Sequence, residues 1–449
     1  MNIPKTWVIL LALLLAAMAM VPIVSASEEQ SLQTDSLTQS NDIIEKNYVS
    51  EKTAFQHASI MMMDYVKTGL DEGHWNGAVI SPDPVIIYDM NGERLFYRFY
   101  VIKNSEAIGE ITIAASKVLK ISLQEINEGV TLNPEIIQSH ADDLVKAEFP
   151  GYRITSMEYV CYDYPSIGVK IQIFNEKTGD REEMMFDAAT FSQVTPENID
   201  GKMIMGGWSY YKSIPVAKYS ENSVSWNENQ IYVLNLEKDF ASAGISADKP
   251  LDQKSIAAQK SATISPMATG EANYIMYFPT TSQQYSKWCM IATAWLMTKF
   301  YHPTTQRTQE NIAATMGVGT NQGASASAEI DYYQAAYISD SSASGGLGKG
   351  QSISSWYLYP SVPLTYDMIK AEINAETPIK TGVNYVDNGQ IFSHARACIG
   401  YWQYTDGRRL YKYSDPGTNT LRWLAEPGAS GSIDVTFIDY IKIRPQTNA

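Results

Sequence analysis

Between Met290 and Phe300 apolar side chains cover nearly every helical face, and His302-Pro303 stops the run. A helix that is apolar all round is stable only when protein surrounds it, so the C-terminal part of the chain must build a core about this segment. Cys289 begins the helix. The first backbone N–H groups of a helix lack internal partners and its dipole is positive there, so a thiolate at that position is favoured over a thiol. Two readings of Cys289 stand at this point: a nucleophile, or the small buried hydrophobe that most free cysteines are.

A second segment bears on the choice. Gln390 to Trp402 reads as a strand with His394 near its start, and Arg408 to Ser414 reads as its partner after an Asp406-Gly407 turn. Asp415-Pro416-Gly417 breaks the partner strand. A hairpin about that turn brings residues 394 and 415 to the same open end. Cysteine, histidine and aspartate then occur in chain order with a role for each: nucleophile, general base, and the carboxylate that orients the base. A structural histidine and an ordinary Asp-Pro-Gly turn are the alternatives.

The remaining chain organises around these segments. Residues 52–70 have apolar positions at helical spacing. From about 84 to 235 the pattern changes to strands: Val85 to Tyr88, the turn pair Asn91-Gly92, Arg94 to Ile102, Ile111 to Ala115, and further strands near 155–162, 167–175 and 182–187. A helix is expected over 134–147, ended by Phe149-Pro150-Gly151. This predicts an α+β region with an antiparallel sheet. Residues 240–270 are poor in aromatics and rich in Ala, Ser and Lys, which suits an exposed linker. Asp340 to Ser352 is Ser/Gly-rich and reads as a mobile loop.

The N-terminus has the three parts of a secretory signal: Lys5, the apolar run Trp7 to Val24, and small residues Val24-Ser25-Ala26 before polar Ser27-Glu28-Glu29-Gln30. An uncleaved anchor is the alternative that its length permits. Either places the folded part outside the cytoplasmic membrane, secreted or at the cell surface. The expected organisation is therefore a signal peptide at 1–26, a flexible lead-in at 27–50, an α+β N-terminal domain at 51–240, a linker at 241–270 and a second domain at 271–449.

Net charge is −15, nearly all of it carried before residue 271. An acidic chain without a basic patch is a poor partner for nucleic acid. The three cysteines, Cys161, Cys289 and Cys398, are too few and odd in number for a disulfide framework. The absence of Cys-x-x-Cys pairs and His clusters speaks against zinc, and no cofactor is expected. His302 reads as a structural residue at a helix end, Cys398 as core, Trp288 as either core or groove wall, and Asn384 or Asp387 as candidates to line a cleft.

The segment 270–445 resembles the papain-like cysteine peptidases. The Gln-x5-Cys spacing of Gln283 and Cys289 is similar to the papain-like pattern. The run Cys-x-x-Ala-Thr-Ala-x-x-Met with its trailing Tyr301-His302 resembles streptopain. His-Ala-x4-Gly-Tyr from His394 and the later Asp415-Pro416 resemble the secreted double-glycine peptidases. The resemblance implies a papain-like catalytic domain, a peptide or protein substrate, an oxyanion role for Gln283, and an N-terminal region that acts as a pro-domain docking on the catalytic cleft; a permanent substrate- or surface-binding domain is the alternative for that region. Two departures stand out. Met290-Ile291 occupies the place of the Gly-Pro or Gly-Ser that many relatives carry, and Gln284 adjoins Gln283 as a rival oxyanion donor. A non-catalytic exported binding protein and a Cys-dependent amidase or transglutaminase-like enzyme are the competing classes.

Overall fold

The computed structural model describes residues 40–194, 196–199, 202–205, 207–246, 270–285, 287–338, 345–348, 351–354, 364–387, 390–404, 407–425 and 436–443. The signal reading at 1–26, most of the linker and the residues 388–389 and 405–406 lie outside these. The chain divides into two compact units, 1–46 and 47–449. In the first, residues 40–46 are helical, where the expectation was an irregular lead-in. The second carries the sheet and the expected site residues.

The N-terminal region of this second unit opens with α1 (Glu51–Thr68). Ser50 caps it by accepting from the Thr53 N–H, and Gly69 ends it in the left-handed region at φ +76°, where a Cβ would be strained. Then come β1 (Val79–Ile80), β2 (Val85–Asp89), β3 (Arg94–Lys103), β4 (Glu106–Ala114) and β5 (Leu123–Asn127). After these run α2 (Pro134–Glu148), β6 (Tyr152–Asp163), β7 (Ser166–Asn175), β8 (Arg181–Asp187), β9 (Pro196–Ile199), β10 (Lys202–Met205) and α3 (Tyr219–Ser242). The C-terminal region contains β11 (Glu271–Tyr274), α4 (Cys289–Tyr301), α5 (Gln309–Thr315), α6 (Ala326–Gln334), β12 (Gln351–Ser354), α7 (Tyr366–Asn374), β13 (Ile379–Asp387), β14 (Gln390–Gln403), β15 (Arg409–Asp415), β16 (Thr420–Ala425) and β17 (Thr436–Ile443).

The protein is a mixed α+β fold on one large sheet. Among the described residues fifteen strands join in it, with the path β12-β17-β13-β14-β15-β16-β5-β4-β3-β2-β6-β7-β8. Among the described strand pairs only β2–β6 is parallel. The two regions meet in this sheet, where β16 pairs antiparallel with β5 through Arg422 with Asn127, Trp423 with Ile126 and Leu424 with Glu125. Residues 219–242 are helical rather than strand. The polar Ser/Asn-rich sequence there hides a stripe of Trp226, Val233, Leu236 and Phe240, all buried.

Alternation along the C-terminal strands divides the packing between two faces. On one, Trp402, Leu410 and Trp423 join the core built by α1, α3 and the N-terminal strands. On the other, Ala397, Tyr411, Tyr413 and Leu424 pack with α4, α5, α6 and α7. The register of β14 against β15 shifts at Gly400. A Cβ there would come within 2.6 Å of Tyr274 and 2.8 Å of Lys412, so only glycine lets β11 and β15 close on β14 from both sides. Among the described residues no helix is long and apolar enough to cross a membrane.

Candidate active site

Cys289 is the first residue of α4 and is half-buried. No side chain caps this helix end; Trp288 occupies the cap position, buried, with its indole N–H on Gly319 O at 3.0 Å. The cap is held by packing, and the positive end of the helix is left facing the thiol. Trp288 is thus a core residue that positions Cys289. Cys161 and Cys398 are also free thiols but are fully buried, and burial pushes both up, Cys398 to about 12. Only Cys289 combines solvent access with a helix N-terminus.

His394 lies on β14, opposite Val383 of β13. Its Nε2 is 2.9 Å from Asp415 Oδ1 at the end of β15. The ring also interacts electrostatically with Cys289, and with Nε2 engaged by Asp415 the nitrogen left for the thiol is Nδ1. Burial alone would push the imidazole down. The Asp415 carboxylate and Cys289 outweigh it, and His394 is raised to about 10. Asp415 is held below the ordinary carboxylate range: burial opposes this, but the His394 contact, Arg396 and the Gly417 N–H prevail. Oδ1 accepts from both His394 and the Gly417 N–H, the latter at 2.9 Å. Oδ2 faces two guanidinium groups, Arg422 at 3.7 Å and Arg396 at 4.0 Å.

The backbone places Gln283 beside this turn, its N–H donating to Pro416 O at 2.8 Å. Ser414 Oγ donates to Pro279 O at 2.7 Å, and Gln309 holds the same loop through Ser282 O and the Gln284 N–H. Gln284 is exposed, whereas the Gln283 side-chain oxygen is shielded from solvent. The residues 283, 289, 394 and 415 are therefore gathered in one place by α4, the loop before it and the β14–β15 pair.

Other candidates fall elsewhere. His302 stacks on Tyr337 with ring centroids 3.5 Å apart and Nε2 on Leu347 O, a packing role. His57 is buried against Ser122 and Trp226, and His140 stacks on Phe191. Asn384 and Asp387 belong to β13, but their side chains lie outside the described set. Among the described residues no cluster of His, Cys, Asp or Glu could hold a metal ion.

Two groups of residues were not visible in the sequence. The turn between β6 and β7 reaches the site. A Cβ on Gly417 would lie 3.6 Å from Ser166 Oγ and 3.7 Å from His394 Cε1, and Asp163 feels both His394 and Asp415. Burial raises Asp163 despite its bond from the Trp208 indole. Arg396 and Arg422, behind Asp415, are the second group. Arg422 lies between half-buried Leu421 and buried Trp423 and Leu424, a local hint of a charge inside the sheet.

No family model matches the chain, and no curated protein matches it. Among solved structures, a complex of the bromelain protease from Ananas comosus with the E64 inhibitor aligns with 39% of this chain and all of that chain, at 14% identity and a TM-score of 0.27. A likeness that loose carries no weight for this fold or its chemistry.

Proposed function

We propose that the chain is an exported cysteine peptidase, with Cys289 as nucleophile, His394 as base and then acid, Asp415 as the group that orients the ring, and Gln283 with the Cys289 N–H as oxyanion donors. One observation carries the reading: a single imidazole is bonded through Nε2 to a buried carboxylate and is within electrostatic reach of a thiol that begins a buried helix. Export rests on the sequence of residues 1–26.

In this mechanism the Cys289 proton passes to His394 Nδ1, leaving thiolate and imidazolium. Sγ attacks the peptide carbonyl carbon, and the carbonyl electron pair moves to oxygen, where N–H donors stabilise it. Collapse breaks the C–N bond, and the departing amine takes the Nδ1 proton. Water, giving its proton to Nδ1, then attacks the thioester and returns the thiol. The raised basicity of His394 favours the first transfer, and the uncapped helix end favours the thiolate.

The zymogen part of the reading is a cut that frees the β6–β7 turn from beside His394 while β5 stays paired with β16. A full-length chain that is active without shortening removes that part alone.

The test is a digest of unrelated proteins with wild type and Cys289→Ala, followed by mass spectrometry. New termini are expected only with wild type. The reading fails if no Cys289-dependent termini form and iodoacetamide alkylates Cys289 equally slowly in wild type and His394→Ala; a binding protein is then left. Ammonia release or cross-linking without new termini moves the assignment to amidase or transglutaminase-like chemistry.

A further inference from the structure

The contact behind Asp415 continues into the N-terminal region. Arg422 Nη1 faces Asp415 Oδ2, and its Nη2 is bonded to Glu125 Oε1 of β5. Glu125 Oε2 accepts from Arg98 Nη2 of β3 at 2.8 Å. Arg98 Nη1 is in turn 3.5 Å from Glu110 of β4, and its Nε donates to Thr112. All these charged side chains are at most 2% exposed. A row of alternating charges thus runs from the β15–β16 turn across the junction of the two regions, sealed from water.

We propose that Glu125, acting through Arg422, is a positioning residue for the Asp415–His394 pair, so that the N-terminal region supplies part of the active site's electrostatics. This rests on the peptidase reading for its use, but the charge coupling is testable without hydrolysis. The physical reason is competition. Arg422 stands between two carboxylates. Held by Glu125, it orients Asp415 without taking the carboxylate's charge away from the imidazole. Without the Glu125 charge, Arg422 is a bare cation at Oδ2 and opposes protonation of His394. Arg396 contributes a second cation at Oδ2, Asp163 a carboxyl on the β6–β7 side, and Cys289 the thiol on the α4 side.

The experiment titrates His394 by NMR in full-length chain with labelled histidine, in a Cys289→Ala background that removes the thiol from the equilibrium. His394→Gln assigns the resonance. Glu125→Gln is expected to lower the His394 pKa by about half a pH unit or more, and Arg422→Gln to raise it by a similar amount. Glu125→Asp, which keeps the charge, is expected to restore the wild-type value even where it lowers the melting temperature. A merely structural role predicts loss of stability without opposite signs. Unchanged titration in both charge-removing variants, or shifts of the same sign, overturns the proposal. Should Glu125→Gln not fold, the direction of the Arg422→Gln shift decides by itself. A digest without Cys289-dependent termini, together with equally slow alkylation of Cys289 in wild type and His394→Ala, removes the peptidase reading and leaves this outcome standing.

Discussion

The two faces of the C-terminal strands differ in who covers them. The face carrying Ala397, Tyr411, Tyr413 and Leu424 is covered by the C-terminal region's own helices, and the nucleophile starts one of them. The opposite face, with Trp402, Leu410 and Trp423, is covered by α1 and α3 of the N-terminal region. Neighbouring residues of one strand, Trp423 and Leu424, therefore belong to different cores. The difference shows that chemistry and support are divided: one face presents the thiol, and the other holds the strands on which His394 and Asp415 sit.

The strongest way to break this comparison is to remove one cover. Residues 270–449 produced alone would expose Trp402, Tyr404, Leu410 and Trp423, and we expect no cooperative melting transition; a soluble fragment with a sharp transition refutes the shared core. Next is the chemistry on the other face. Asp415→Asn should cut Cys289-dependent cleavage by about 10²–10⁴-fold, since the amide no longer stabilises the imidazolium; steady-state rates measure this. The adjacent pair on β16 sharpens the division. Trp423→Ala is expected to cost about 3–5 kcal/mol and Leu424→Ala about 2–5 kcal/mol in denaturant unfolding. Protection from hydrogen exchange should fall in α1 and α3 for the first and in α4 to α7 for the second.

The smallest effect concerns a titrating group in the N-terminal core. Burial raises Asp64, on α1, from an ordinary 3.8 to about 7. Its ionised form is therefore penalised in the folded state. That penalty is absent below the unfolded value, grows between about 4 and 7, and is complete above. Asp64→Asn should then stabilise by about 1–3 kcal/mol at pH 8 and by less at pH 5. Thermal melts at the two values read it, and an equal gain at both contradicts the cause given.

Much of this was legible where the signal is local. The apolar run after Cys289 marks α4, and Asn91-Gly92 sits at the β2–β3 turn with Gly92 at φ +89°. The expected helix near 134–147 corresponds to α2, capped by Asn133 with Pro134 in its first turn. The strand pair carrying residues 394 and 415 could be reasoned from one turn. What stayed hidden is long-range. Nothing near Glu125 announces Arg422, and nothing in Asp163-Tyr164-Pro165-Ser166 beyond a turn signal announces His394. The helix α3 was masked by Asn and Ser, which compete for backbone hydrogen bonds and weaken helix propensity. Its stripe is thin but buried.

The joint between β5 and β16 has a consequence for how the chain assembles. Its partners Glu125 and Arg422 are 297 residues apart. During synthesis β5 emerges early and its outer edge waits, unpaired, until β16 has been made. Contacts of such separation slow folding, because a long loop must close before the pairing rewards it. A waiting edge is also a template for pairing with a neighbouring chain. Yield on refolding should therefore depend on protein concentration more steeply than for a protein whose sheet closes locally.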